Sequence, residues 1–199
     1  MQIFATAKTL EWGHLDVPIL GLGKDWFGEN LTPPLGFSIV RDQTHLWFLA
    51  TRQGTPFSHP ASEAGAFQPE LWKYDVAELF LSNPLTGEYL ELNISPNGAW
   101  WASKFSNTRV AYEPQPSFQH HVQVYNQENI SENWITAIKI PLEFLCEIIG
   151  FNEDTTGNVA AILNSPDQTF HSACNLPGAE PDFHQPREFR KFSEMEIPR

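Results

Sequence analysis

Residues 89–95 alternate strictly. Leu90, Leu92 and Ile94 fall on one side, and Tyr89, Glu91 and Asn93 on the other. Successive side chains of an extended chain point to opposite faces, so a period of two commits this segment to a half-buried β-strand. The run ends at Pro96-Asn97-Gly98, where the Asn-Gly pair suits the positive φ of a tight reversal. Residues 75–81 form a second strand, stopped by Asn83-Pro84-Leu85-Thr86-Gly87, and residues 99–105 return as a third. Three consecutive strands of this kind form an antiparallel meander.

The remaining segments continue the theme. Residues 37–40 and 46–51 read as strands joined by a turn at 41–44. Residues 120–125, 134–140, 157–164 and 170–175 read as four more. Pro141 followed by Leu142, Phe144, Leu145 and Ile148 starts a short helix near 142–149, which Gly150 closes. Residues 21–34 and 54–69 are rich in Gly or Pro and read as loops, and 176–199 as an irregular tail. About eight short strands and one brief helix, without repeated helical crossovers, specify an all-β fold. It is expected to be an antiparallel β-sandwich, jelly-roll-like, with residues 1–199 forming one domain.

Charge narrows the partners. Twelve basic residues against 24 acidic give a net charge of −12, with no basic cluster, which disfavours nucleic acid and anionic lipid. No apolar run is long enough to span a membrane, so neither class of partner is expected. Residues 1–22 show no signal-peptide pattern. Cys146 and Cys174 read as two buried free thiols rather than a disulfide framework. Oligomeric state is left open.

Catalytic spacings are missing from the sequence: there is no Gly-x-Ser-x-Gly elbow, phosphate loop, dinucleotide fingerprint or His-Glu-x-x-His. The adjacent His120 and His121 would point to opposite faces of a strand and read as structural. Glu78 and Glu91, on neighbouring strands, can share a face. That leaves three alternatives open: an exposed sheet face, a site for sugar hydroxyls or calcium, or a glycosidase pair. Trp100 and Trp101 must face opposite ways, one into the core and one available to a ligand. An aromatic ring beside polar groups is a common means of holding a sugar. Trp47 and Trp134 read as core.

Residues 71–81 (Leu-Trp-Lys-Tyr-Asp-Val-Ala-Glu-Leu-Phe-Leu) and 89–101 (Tyr-Leu-Glu-Leu-Asn-Ile-Ser-Pro-Asn-Gly-Ala-Trp-Trp) resemble the family 9 carbohydrate-binding modules and their DOMON-like relatives. Residues 134–141, ending in Ile-Pro, Asn164, and residues 182–189 with Phe183-His184-Gln185-Pro186 agree with the same pattern, so the resemblance covers most of 34–192. It implies a non-catalytic sandwich that binds a small saccharide or glycan in an aromatic-lined slot, often with bound calcium, in an extracellular or periplasmic setting. The sequence alone also permits a cytoplasmic one. Trp72 resembles the stacking tryptophan, Glu78 the carboxylate that accepts sugar hydroxyls, and Asn164 a polar contact. Glu91 and Asn93 join the same wall by strand alternation. The second tryptophan of the slot should follow Asn164 closely. Residues 165–170 contain none, and Phe170 or His171 stands in its place. Calcium is an expected cofactor whose ligands the sequence does not assign. The alternatives are a DOMON-like haem-binding domain, which would need axial ligands from the terminal Met1 or Met195 together with histidine, and an interaction domain without a small ligand, in which Trp72 would be packed.

Overall fold

The structure, a computed structural model, describes residues 1–129 and 133–197. Fourteen strands are present among them: β1 (Gln2–Ala5), β2 (Leu20–Lys24), β3 (Asn30–Arg41), β4 (His45–Gln53), β5 (Val76–Ser82), β6 (Tyr89–Ile94), β7 (Trp100–Asn107), β8 (Val110–Ala111), β9 (Gln123–Asn129), β10 (Asn133–Pro141), β11 (Thr156–Asn164), β12 (Gln168–Ser172), β13 (Arg190–Lys191) and β14 (Ser193–Glu196). Among the described residues there is one α-helix, α1, which spans Leu142–Ile149. The strands form two sheets. The first runs β14-β1-β3-β4-β10-β9, with β2 also on β3. The second runs β12-β11-β5-β6-β7-β8, with β13 also on β11. The expected all-β sandwich with one helix at 142–149 is observed.

The alternation read in 89–95 becomes the layer structure. Leu90, Leu92 and Ile94 of β6, with Ala77, Leu79 and Leu81 of β5, face the first sheet and meet Ile39, Phe48 and Ile138 in the central core. Trp134 and Trp100 are buried there too. Helix α1 closes one end. Phe144, Leu145, Ile148 and Ile149 lie on its buried face, and the positive φ of Gly150 (+64°) lets its N–H bond the Cys146 carbonyl at 2.9 Å.

Both outer faces are partly covered by the chain's own ends. On the first sheet Phe4, Val40, Trp47 and Leu49 are covered by Leu10, Trp12, Leu15 and Val17, with Tyr125 stacked on both Trp12 and Trp47. On the second sheet Phe80, Tyr89, Phe105 and Ala160 are covered by Leu176, Phe183 and Phe189. The part of that second face left uncovered is where the cleft described below lies.

Several expectations are corrected. Residues 21–34 are not a loop: β2 and the first part of β3 occupy them. Pro33 and Pro34 fit there because β4 pairs with β3 only from Gly36 onward and the β2 register shifts between Leu22 and Lys24. Residues 176–197 are more ordered than an irregular tail, since β14 pairs in parallel with β1; the tail's last two positions, 198–199, lie outside the described residues. His120 sits in a short 3-10 turn at Phe118–His120, and the strand starts only at Gln123, so the two histidines do not alternate across a strand. His121 instead stacks on Phe144 at 3.9 Å. Both cysteines are free, but only Cys174 is buried. Cys146 lies on the exposed face of α1.

Packing around β11 leaves no room at Gly157. A Cβ there would press into the Phe192 ring and lie 2.8 Å from the Phe80 carbonyl oxygen. Gly157→Ala is therefore expected to cost about 1–3 kcal/mol, read as a lower midpoint in urea unfolding. An unchanged midpoint would mean that Phe192 swings aside freely.

Candidate functional site

Strand register assembles the floor of the cleft. Glu78 of β5 pairs with Asn93 of β6, and Asn93 with Trp101 of β7. One step along, Phe80 pairs with Glu91, and Glu91 with Ser103. Glu78 and Glu91 are thus diagonal neighbours on one face, as the alternation implied, about 7–8 Å apart by ordinary sheet geometry. Glu78, Glu91 and Asn93 are 3%, 6% and 3% exposed, while Trp72, carried on the 3-10 turn Leu71–Lys73, is 51% exposed. All four line one cleft of about 590 Å³, together with Trp101, Phe105, Arg109, Phe170, Phe183 and His184.

Five of the six candidate residues therefore meet: Trp72, Glu78, Glu91, Asn93 and Phe170. Asn164 does not line the cleft. It stands at the end of β11, beyond the last β5 pairing at Ile162–Val76, where its backbone N–H is held by Asp75 Oδ1 at 2.6 Å. His171, the alternative to Phe170, is fully buried and tied to the Lys24 carbonyl and the Thr169 hydroxyl. Trp101 is the available member of its pair and Trp100 the core member. The packed Trp72 expected of a domain without a ligand is not found. Neither Met1 nor Met195, the axial ligands of the haem alternative, lines the cleft.

Sequence reasoning did not assign Arg109 and His184 to the site. Arg109 sits at positive φ (+57°) in the short reversal between β7 and β8, and its guanidinium donates to Asp182 Oδ1 at 2.8 Å. His184 was visible only as part of the Phe-His-x-Pro resemblance. In the structure it is fixed through Tyr89, whose hydroxyl accepts the Arg109 backbone N–H at 3.0 Å and lies 2.8 Å from His184 Nδ1. Burial pushes the Tyr89 phenol up to about 12, so it keeps its proton and donates it to Nδ1. That assigns the histidine proton to Nε2, which faces Glu91 Oε2 at 3.7 Å. Burial first, then the Arg109 charge, lowers His184 to about 4, so at neutral pH this contact is a neutral N–H facing a carboxyl group rather than an ion pair.

The two carboxyl groups resist ionisation. Burial, then the neighbouring Glu91 charge, holds Glu78 well above the usual carboxylate range, and Arg109 offsets only part of this. Burial pushes Glu91 up to about 7 against the opposing Asn93 hydrogen bond (Nδ2 to Oε1, 2.8 Å) and Arg109. The remaining acceptor, Asn93 Oδ1, is buried without a hydrogen-bond partner among the described residues. Chemically the cleft offers aromatic walls, a floor of carboxyl and amide groups, and N–H donors from Arg109 and His184. Among the described residues no group of three or more His, Cys, Asp or Glu side chains is placed to hold a metal ion.

Solved structures share this architecture. A family 9 carbohydrate-binding module from Caldicellulosiruptor kristjanssonii in complex with glucose superposes with a TM-score of 0.64 at 12% identity, covering 100% of this chain and 97% of that one. The same module with cellotriose gives 0.64 at 11%, covering 100% and 95%. A candidate carbohydrate-binding protein from Bacteroides uniformis gives 0.70 at 16%, covering 90% and 87%. The chain has the fold of a family 9 carbohydrate-binding module. No family model matches the sequence. Among curated proteins it is 27% identical over 141 residues to the UPF0462 protein C4orf33 homolog of Mus musculus, covering 67% of this chain and 68% of that protein. It is 26% identical to the human UPF0462 protein C4orf33 over the same length, covering 67% and 66%.

Proposed function

We propose that this domain is a non-catalytic saccharide-binding module and that the cleft on the second sheet is its binding site. The observation that carries the reading is the half-exposed Trp72 beside a buried acceptor set, Glu78, Glu91 and Asn93, in one cleft with aromatic walls. A pyranose ring presents C–H groups to an aromatic face and hydroxyls to polar groups around its rim, which matches this arrangement. The glucose and cellotriose complexes of proteins with the same fold support it. Binding rather than catalysis is favoured because the solved structures that share the fold are carbohydrate-binding modules and a candidate carbohydrate-binding protein. Phe170, with Phe183 6.4 Å away, takes the part of the second stacking ring.

A monosaccharide and oligosaccharide screen read by tryptophan fluorescence tests this. A saccharide that shifts the emission is expected to lose about tenfold or more in affinity in Trp72→Ala, since a stacking contact of this kind is worth on the order of 1–2 kcal/mol. The substitution removes a half-exposed ring and should leave the melting temperature nearly unchanged. Equal affinity in the variant would place any bound sugar elsewhere.

A further inference from the structure

The cleft floor is short of positive charge. Glu78 and Glu91 are buried on one face, and Asn93 Oδ1 beside them has no donor among the described residues. The influences on the Glu78 carboxyl are burial and two charges, with no hydrogen bond among them. Charged and titratable groups stand on each element around the cleft. Arg109, from the β7–β8 reversal, is committed to Asp182 at 2.8 Å. On the C-terminal segment, Asp182 adds a negative charge and His184 is neutral. At the 71–73 turn, Glu70 and Lys73 pair with each other at 2.7 Å. With the floor carboxyls ionised, the balance is negative: among the described residues lining the cleft, Glu70, Glu78 and Glu91 stand against Arg109 alone, which Asp182 already engages.

A saccharide hydroxyl donates one proton and brings no charge, whereas an ammonium donates three and brings one. We infer that the saccharide taken by this cleft carries a protonated amine, as an amino sugar does, with the ammonium seated against Glu78, Glu91 and Asn93 Oδ1. The inference rests on the saccharide reading above and names its ligand class. The aromatic walls, Trp72 and Trp101 among them, suit the same ligand, because a desolvated cation is attracted to an aromatic face. Entry of the ligand carries a signature. Burial keeps the floor carboxyls protonated in the empty cleft, and an ammonium between them favours ionisation, so binding expels protons.

The test is calorimetry with glucosamine, glucose, N-acetylglucosamine and cyclohexylammonium at about pH 6.5, below the ordinary titration range of an amine, in two buffers of different ionisation enthalpy. Glucosamine is expected to bind about tenfold or more tightly than glucose or N-acetylglucosamine, and to release roughly half to one proton where the neutral sugars release none. Glu78→Gln should abolish both the preference and the proton release. Glucose binding as tightly as glucosamine overturns the inference and leaves the saccharide module standing. Binding of cyclohexylammonium but of no sugar overturns the saccharide reading while supporting the amine seat. No binding by any of the four overturns both.

Discussion

Asp75→Ala is expected to be among the most damaging single substitutions in the chain, costing on the order of 3–5 kcal/mol. Asp75 is fully buried just before β5. Its Oδ1 accepts the Asn164 N–H at 2.6 Å, and its Oδ2 accepts the Phe57 N–H at 3.0 Å and the Ser165 hydroxyl at 2.7 Å. Ser165 in turn accepts from Arg52 Nη1 at 3.2 Å, which links the carboxylate to a largely buried guanidinium. Removing the carboxylate leaves three donors without their acceptor, and each such loss is expensive in the interior; Arg52 keeps its bonds to Ser165 Oγ and the Pro33 carbonyl but loses the nearby negative charge. For a chain of this length the cost corresponds to a drop of roughly 10 °C in melting temperature. Asp75→Asn, which keeps an acceptor on one side only, should fall between. The substitution also frees the end of β11 and the 54–69 loop that Asp75 ties together, so saccharide affinity should fall with stability. Thermal melts of both variants decide the matter. A shift of only a degree or two in the alanine variant would show that the three donors find other partners.

Stability should fall as pH rises above neutrality, and Glu78→Gln should remove much of that fall. A carboxyl group whose folded pKa lies above its unfolded value makes the folded state hold the extra proton. The stability it contributes is complete below the unfolded value and is lost as pH rises through the folded one. For Glu91 that window runs from the ordinary value of 4.5 to about 7, and for Glu78 it extends in the same direction. His184 acts oppositely. Lowered from 6.5 to about 4, it contributes stability that is present above 6.5 and lost as pH falls through 4. The two effects partly cancel below about pH 6.5, and only the carboxyl groups act above it, each at about 1.4 kcal/mol per pH unit while it titrates. A plot of melting temperature against pH should therefore fall most steeply between about pH 6.5 and 7, and past neutrality the remaining fall is that of Glu78. At about pH 8, Glu78→Gln is expected to melt higher than the parent, because an amide carries no charge to bury. At about pH 5 the two should nearly coincide. Parallel curves for parent and variant would show that Glu78 ionises freely in the folded cleft. A binding site that weakens its own fold at neutral pH is the usual sign of groups arranged for a ligand rather than for stability.

The fold was legible wherever the signal was local. The alternation of Leu90, Leu92 and Ile94 against Tyr89, Glu91 and Asn93 separated the core from the cleft floor before any pairing was known. Pro141 and Gly150 bounded the helix. The Trp100-Trp101 pair had to split between core and cleft, and did. Register between neighbouring strands then followed from short turns, so Glu78, Glu91 and Asn93 came together as expected. Asn164 stands apart from them for a reason no local pattern carries: it lies past the last rung shared with β5, where a distant carboxylate holds its backbone.

The sequence by itself determined which side chains lie on each face of the meander, because a period of two is a property of the extended backbone alone. Only the tertiary structure decided what stands over those faces. Residues 6–19 fold across the first sheet, and residues 174–189 bring Phe183 and His184 over the second. The reversal after β7 aims Arg109 at Asp182, and β14 returns to pair with β1, Ser193 opposite Gln2. Such contacts join segments whose own periodicity is unremarkable. They form because apolar surface left bare on a finished sheet must be covered, and which segment covers it depends on where the rest of the chain has already gone.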